Sequence, residues 1–114
     1  MSTISTHVLD TSLGKPATGV PVSLAMLQAD GSWKTLAHGA TDADGRWRPS
    51  AANEFSLAPG AYRLMFDTAA YFVARNTEGF YPSVDITFTI RNGAEHHHVP
   101  LLLSPYSYST YRGS

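Results

Sequence analysis

Val84-Asp85-Ile86-Thr87-Phe88-Thr89-Ile90 alternates apolar and polar residues at every step. Val84, Ile86, Phe88 and Ile90 fall on one face, which is the signature of a half-buried β-strand. Asn92-Gly93 then turns the chain back. A second apolar run follows: His96-His97-His98-Val99-Pro100-Leu101-Leu102-Leu103-Ser104-Pro105, with three of the five histidines at its head. Strand parity puts His96 and His98 on one face and His97 on the other, pointing into the core as a satisfied, partly buried histidine. Pro100 cannot donate to a sheet ladder, so this strand is expected to be bulged or locally unpaired beside it. Tyr106 to Ser114 is polar and aromatic, and it reads as an ending held in place rather than frayed.

The same texture extends upstream. Thr6 to Asp10 alternates, with Val8 facing the core and His7 and Leu9 opposite it. Val20, Val22, Leu24 and Met26 share a face of a further strand, and Asp30-Gly31 turns it into another that starts near Trp33. Thr41-Asp42-Ala43-Asp44-Gly45 is a turn that delivers Arg46 and Trp47 onto a short strand. Pro49 to Pro59 is irregular. Tyr62 to Asp67 is a strand with Tyr62, Leu64 and Phe66 on one side and Met65 on the other. Thr68 to Asn76 is the one helix expected, with Thr68 as its cap. Seven or eight short strands, a single helix and no internal repeat predict an all-β sandwich or barrel forming one domain over residues 1–114.

Composition narrows the function. A 43% hydrophobic content supports a real core, and a net charge of −1 offers no electrostatic case for nucleic acid or an anionic membrane. No apolar run approaches the roughly 18 residues of a membrane helix. No signal segment is evident, so a cytoplasmic protein is expected. The absence of cysteine excludes disulfides, zinc–thiolate sites and thiol nucleophiles. An i, i+2 histidine pair such as His96 and His98 lacks the third ligand of a zinc site, so no metal or other cofactor is expected.

Several separated motifs carry a resemblance. Thr6-His7-Val8-Leu9-Asp10, Gly14-Lys15-Pro16-Ala17, Asp44-Gly45-Arg46, Phe66-Asp67, Tyr81-Pro82, His96-x-His98-Val99-Pro100 and Leu102 to Thr110 are similar to stretches of the transthyretin family. The ending Tyr111-Arg112-Gly113-Ser114 resembles the family's 5-hydroxyisourate hydrolases of urate breakdown rather than its hormone carriers. His97 departs from that pattern, where an aromatic is usual. The resemblance implies a transthyretin-like sandwich of two four-stranded sheets, with the first, fourth, seventh and eighth strands in one sheet. It implies a homotetramer, a dimer of dimers, with the site in the channel between dimers. His7, Arg46, His98 and Ser114 would be the catalytic set, and Tyr111, Arg112 and His96 would shape the substrate pocket.

Under that resemblance the substrate is 5-hydroxyisourate and the reaction opens an amide of its six-membered ring to give 2-oxo-4-hydroxy-4-carboxy-5-ureidoimidazoline. Water must lose a proton, the carbonyl must bear negative charge, and the leaving nitrogen must gain a proton. Histidine suits both proton steps, since its ordinary pKa of about 6.5 lies near working pH. His98 is the favoured base and His7 its partner. Arg46 can orient the ring and stabilise an oxyanion. Ser114 can bond substrate or water. The competing reading is a transthyretin-like carrier of a small aromatic ligand, whose channel would be lined with more aliphatic side chains. A purely structural module is a third. His38 belongs to no motif and reads as structural, Trp47 and Arg48 as sheet or rim residues, and Asp42 and Asp44 as turn formers.

Overall fold

Two β-sheets enclose the core in the computed structural model, which describes residues 3–49, 57–92 and 95–113. The described strands are β1 (Thr3–Asp10), β2 (Lys15–Pro16), β3 (Pro21–Leu27), β4 (Trp33–Ala40), β5 (Arg46–Trp47), β6 (Gly60–Phe66), β7 (Val84–Ile90), β8 (His96–Ser104) and β9 (Ser107–Thr110). Helix α1 (Thr68–Ala74) lies between β6 and β7. One sheet runs β4-β3-β6-β7. The other runs β2-β1-β8-β9, with β5 also paired to β1. The expected grouping of the first, fourth, seventh and eighth strands is therefore present as β1, β5, β8 and β9. The two-residue β2 adds a fifth member, sharing one edge of β1 with β5. Most of the Pro49–Pro59 stretch, the Gly93 turn and Ser114 lie outside the described residues.

β1 and β8 are parallel and remain in register over eight residues, from Thr3 opposite His96 to Asp10 opposite Leu103. Both strands send alternate side chains inward, so Ile4, Val8, Val99, Leu101 and Leu103 meet Val22, Leu24, Leu64, Phe66, Val84 and Ile90 of the other sheet. At about 25 cal/mol per Å² of apolar surface removed from water, this shared layer dominates stability. In β3 the register shifts between Leu24 and Ala25. Ala25 is buried there and Met26 only half-buried, which modifies the simple alternation expected.

Pro100 does not interrupt the β1–β8 pairing. The His98 carbonyl accepts from Gly113 N (2.8 Å), so even-numbered residues of β8 direct their backbone groups toward β9. The donor that Pro100 lacks therefore faces β9, whose ladder stops at Leu101–Thr110 and resumes as a single bridge between His98 and Gly113. Local unpairing occurs as expected, on that side only.

The helix also differs in detail from expectation. Asp67, not Thr68, caps it by accepting from Ala70 N at 3.0 Å. Thr68 is fully buried and donates to the Tyr81 carbonyl instead (2.6 Å). Tyr71 anchors the helix to β1 by donating to Asp10 Oδ2 at 2.7 Å. Burial opposes ionisation of Asp10, but bonds from Ser12, Tyr71 and Leu13 outweigh it and hold the carboxyl below its usual range. The same burial and the Asp10 bond push Tyr71 up to about 12.

His97 points into the core, opposite Ile4, and is only 5% exposed. Among the described residues its Nδ1 has no hydrogen-bond partner, so the satisfied ring that was expected is not found there. Burial, and then the charge of Arg112, lowers its proton affinity. The unfolded chain therefore binds more protons than the folded one below about pH 6.5, and stability is lost as pH falls through that window. Replacing His97 by Phe removes both the orphan nitrogen and the titration. Urea unfolding should show His97→Phe more stable by about 1 kcal/mol at pH 7, with a larger gain at pH 5. A variant less stable than the parent at both pH values would contradict this account.

Candidate active site

The outer face of the β1–β8 pair carries the polar residues. Parity turns Thr3, Ser5 and His7 outward on β1, while His96 and His98 turn outward on β8. The parallel register sets Thr3 beside His96 and Ser5 beside His98. On the other side of β1, β5 places Arg46 opposite His7 and Trp47 opposite Thr6.

The turn before β5 aims Arg46. Asp42 Oδ1 accepts from the amides of Asp44 and Arg46, each at 2.9 Å, and Gly45 N bonds back to the Asp42 carbonyl. Gly45 takes a positive φ of 75°, and a Cβ there would lie 2.4 Å from the Val8 carbonyl oxygen. Only glycine lets the turn lie this close to β1. Trp47 points inward and packs against the core, passing over Gly39 of β4, where a Cβ would meet its indole nitrogen at 2.4 Å.

An open cleft of ≈390 Å³ results, lined by Ser5, Thr6, Asp42, Arg46, Trp47, Arg48, His96 and His98. His7 stands beside this cleft rather than in its lining, and its Nε2 donates to the Asp44 carbonyl at 2.9 Å. Ser5 Oγ lies 2.8 Å from His98 Nδ1 and 3.1 Å from His96 Nε2, and His96 Nδ1 bonds Thr3 Oγ1. Burial, then repulsion from the basic groups His96, Arg46 and His7, lowers the proton affinity of the half-buried His98 ring. A histidine held neutral beside a permanent cation suits proton abstraction from a substrate that the cation has oriented.

Of the expected residues, His7, Arg46, His96 and His98 come together on this face. Tyr111 and Arg112 do not line the cleft. They line a separate hollow of ≈250 Å³ with His97, His98, Val99 and residues of β7. The cause is the Gly113–His98 bridge, which carries residues 111–113 along the β9 edge. Arg112 there pairs with Glu95 at 3.0 Å, both exposed. Ser114 lies outside the described residues, His38 is exposed on β4 of the other sheet, and Trp47 and Arg48, read as sheet or rim residues, are both in the lining of the cleft. Ser5 went unrecognised in the sequence. Its only signal is that it lies two residues before His7, on the same strand face.

Comparison with known proteins reports on the same chain. Residues 4–113 match the model of the HIUase/Transthyretin family. The chain belongs to that family. A 5-hydroxyisourate hydrolase of Mus musculus is 46% identical over 114 residues, covering 99% of this chain and 96% of the relative. One from Deinococcus radiodurans is 42% identical over 114 residues, covering 97% and 95%. The solved structure of Klebsiella pneumoniae 5-hydroxyisourate hydrolase superposes with a TM-score of 0.86 at 40% identity, covering all of both chains. Sea bream transthyretin in complex with thyroxine also reaches a TM-score of 0.86, at 32% identity, covering 96% of this chain and 93% of that one. The transthyretin-like fold is thus shared by hydrolases and by a thyroxine-binding protein, so fold alone does not choose between them.

Residue 113 has no room for a side chain, since a Cβ there would lie 2.6 Å from His98 Cδ2. Gly113→Ala is therefore expected to displace the His98 ring or break the bridge. Imidazole proton resonances of His98 should shift on this substitution while core resonances hold, and an unchanged His98 signal would contradict the packing described.

Proposed function

We propose that this protein is a hydrolase that opens the six-membered ring of 5-hydroxyisourate to give 2-oxo-4-hydroxy-4-carboxy-5-ureidoimidazoline. The observation that carries the reading is the joining of a neutral-held His98 with Arg46 and His7 on one sheet face. The named hydrolases among its relatives support it. A carrier of an apolar ligand gains nothing from a cleft whose lining includes two histidines and two arginines.

Arg46 holds the flat, carbonyl-rich ring in the cleft. His98 takes a proton from water through Nε2 as the water oxygen attacks the ring carbonyl. Negative charge then develops on the carbonyl oxygen, where the Arg46 guanidinium opposes it. His7 keeps its Nε2–H on the Asp44 carbonyl, so it enters the step as the imidazolium, supplies from Nδ1 the proton that the departing ring nitrogen needs, and ends neutral. Ser114 completes the catalytic set, and the proposed assembly is a homotetramer in which a second dimer closes the open side of the cleft. The fully exposed edge strand β9 and the exposed aromatics Phe80, Tyr106 and Tyr108 offer surface for such pairing.

Ultraviolet absorbance of 5-hydroxyisourate, freshly generated with urate oxidase, should decay faster with this protein than without it. His98→Ala and Arg46→Ala should each lower the rate by at least about 10²-fold, and an unchanged decay with the parent protein would sink the reading. Because burial, and then repulsion from the basic groups His96, Arg46 and His7, depresses the His98 proton affinity, its neutral form persists below the ordinary histidine range. The acid limb of kcat/KM should accordingly fall below the ordinary histidine value of about 6.5, and a limb well above it would point to another base. Light scattering at assay concentration should report four chains per particle; an active monomer would remove the tetramer from the proposal.

A further inference from the structure

We infer that Ser5 is a positioning residue that sets the tautomer of His98, with His96 behind it as the far half of a proton wire. The inference rests on the proposed role of His98, and it concerns residues that this role leaves unexplained. Four groups stand in a line across β1 and β8: Thr3 Oγ1 with His96 Nδ1, His96 Nε2 with Ser5 Oγ at 3.1 Å, and Ser5 Oγ with His98 Nδ1 at 2.8 Å. The two imidazole planes are 14° from parallel, with centroids 6.3 Å apart. Both nitrogens of His96 are engaged, and Nε2 of His98 is the one ring nitrogen of the pair without a bond among the described residues. Ser5 is 9% exposed, so little solvent can compete for its hydroxyl.

A hydroxyl has one proton, so Ser5 donates to one imidazole and accepts from the other. Two arrangements satisfy the line. In the first, Ser5 donates to His98 Nδ1, which leaves His98 protonated at Nε2 and useless as a base. In the second, His98 Nδ1–H donates to Ser5, Ser5 donates to His96 Nε2, and His96 Nδ1–H donates to Thr3. The second leaves a lone pair on His98 Nε2. The Arg46 guanidinium lines the same cleft as His98, and a cation favours a facing lone pair over a facing N–H dipole. That selects the second arrangement, the tautomer being fixed by the bond at the opposite nitrogen.

The line also carries the proton onward. When Nε2 accepts a proton from water, Nδ1 passes its own to Ser5 Oγ, and Ser5 passes one to His96 Nε2. His96 Nδ1 then gives its proton to Thr3 Oγ1, which releases its original proton to solvent. Each group ends neutral, one proton has crossed, and the reverse sequence restores His98 after Nε2 is emptied. His96 on this account acts through Ser5 rather than by touching substrate.

Nitrogen-15 spectra of the histidine rings test this directly, at about pH 8, above the ordinary histidine range. The parent protein should show His98 protonated at Nδ1. Ser5→Ala should convert it to the Nε2–H form and lower kcat by about tenfold or more, with KM little changed and the amide spectrum retained. Ser5→Thr, which keeps the hydroxyl, should restore both the tautomer and most of kcat. An Nε2–H ring in the parent, or a Ser5→Ala protein with the parent's tautomer and kcat, overturns the inference. If the parent has no activity on 5-hydroxyisourate, the proposed function fails, and the tautomer in parent and Ser5→Ala still decides this inference alone.

Discussion

The parallel pairing of β1 with β8 is the constraint on which the rest depends. Parallel neighbours cannot be joined by a tight turn, and here nearly the whole chain, including the second sheet, intervenes between them. The pairing is fixed by its inner face, where Ile4, Val8, Val99, Leu101 and Leu103 enter the core. A slip of one residue would turn those apolar side chains outward and bury the polar ones, so the register is set by the hydrophobic effect. Its outer face inherits that register. Ser5 meets His98 because Ile4 and Val99 must both face inward.

His97 and His98 show how parity separates chemically identical neighbours. His98 faces the cleft, keeps a partner on Nδ1 and shares the cleft with the Arg46 guanidinium. His97 faces the core with a nitrogen left orphaned, at a cost of about 1–3 kcal/mol for such a group. Both are held below the ordinary histidine value, chiefly by burial. Only His98 lines the proposed substrate cleft, so a depressed proton affinity alone does not identify a functional histidine.

Much of this was legible in the sequence because strand parity is local information. Alternation in Val84–Ile90 and Thr6–Asp10, and the glycine turns, describe an all-β sandwich or barrel without any long-range knowledge, and the family resemblance chose the sandwich. The Asp42–Gly45 turn was legible too, but only the family resemblance singled out Arg46 after it, and the tight approach of Gly45 to the Val8 carbonyl left no signal. Other features required the tertiary register. Ser5 is an ordinary strand serine until β8 lies beside it. Tyr111 and Arg112 read as pocket residues, yet the Gly113 bridge carries them along the edge, where they line, with His97 and His98, a hollow apart from the cleft. The helix cap moved from Thr68 to Asp67 because Thr68 found a buried carbonyl at Tyr81. Competition among partners of this kind is settled by packing and leaves no trace in propensity.

The central claim is that the β1–β8–β5 face is where the substrate binds. A crystal structure with urate, a stable ring-closed analogue of the proposed substrate, tests it most directly. Urate is predicted to lie in the cleft with a ring oxygen in hydrogen-bond reach of the Arg46 guanidinium and an edge facing His98 Nε2. Urate bound away from Arg46 and His98, in the hollow beside Tyr111 or elsewhere, would contradict the account.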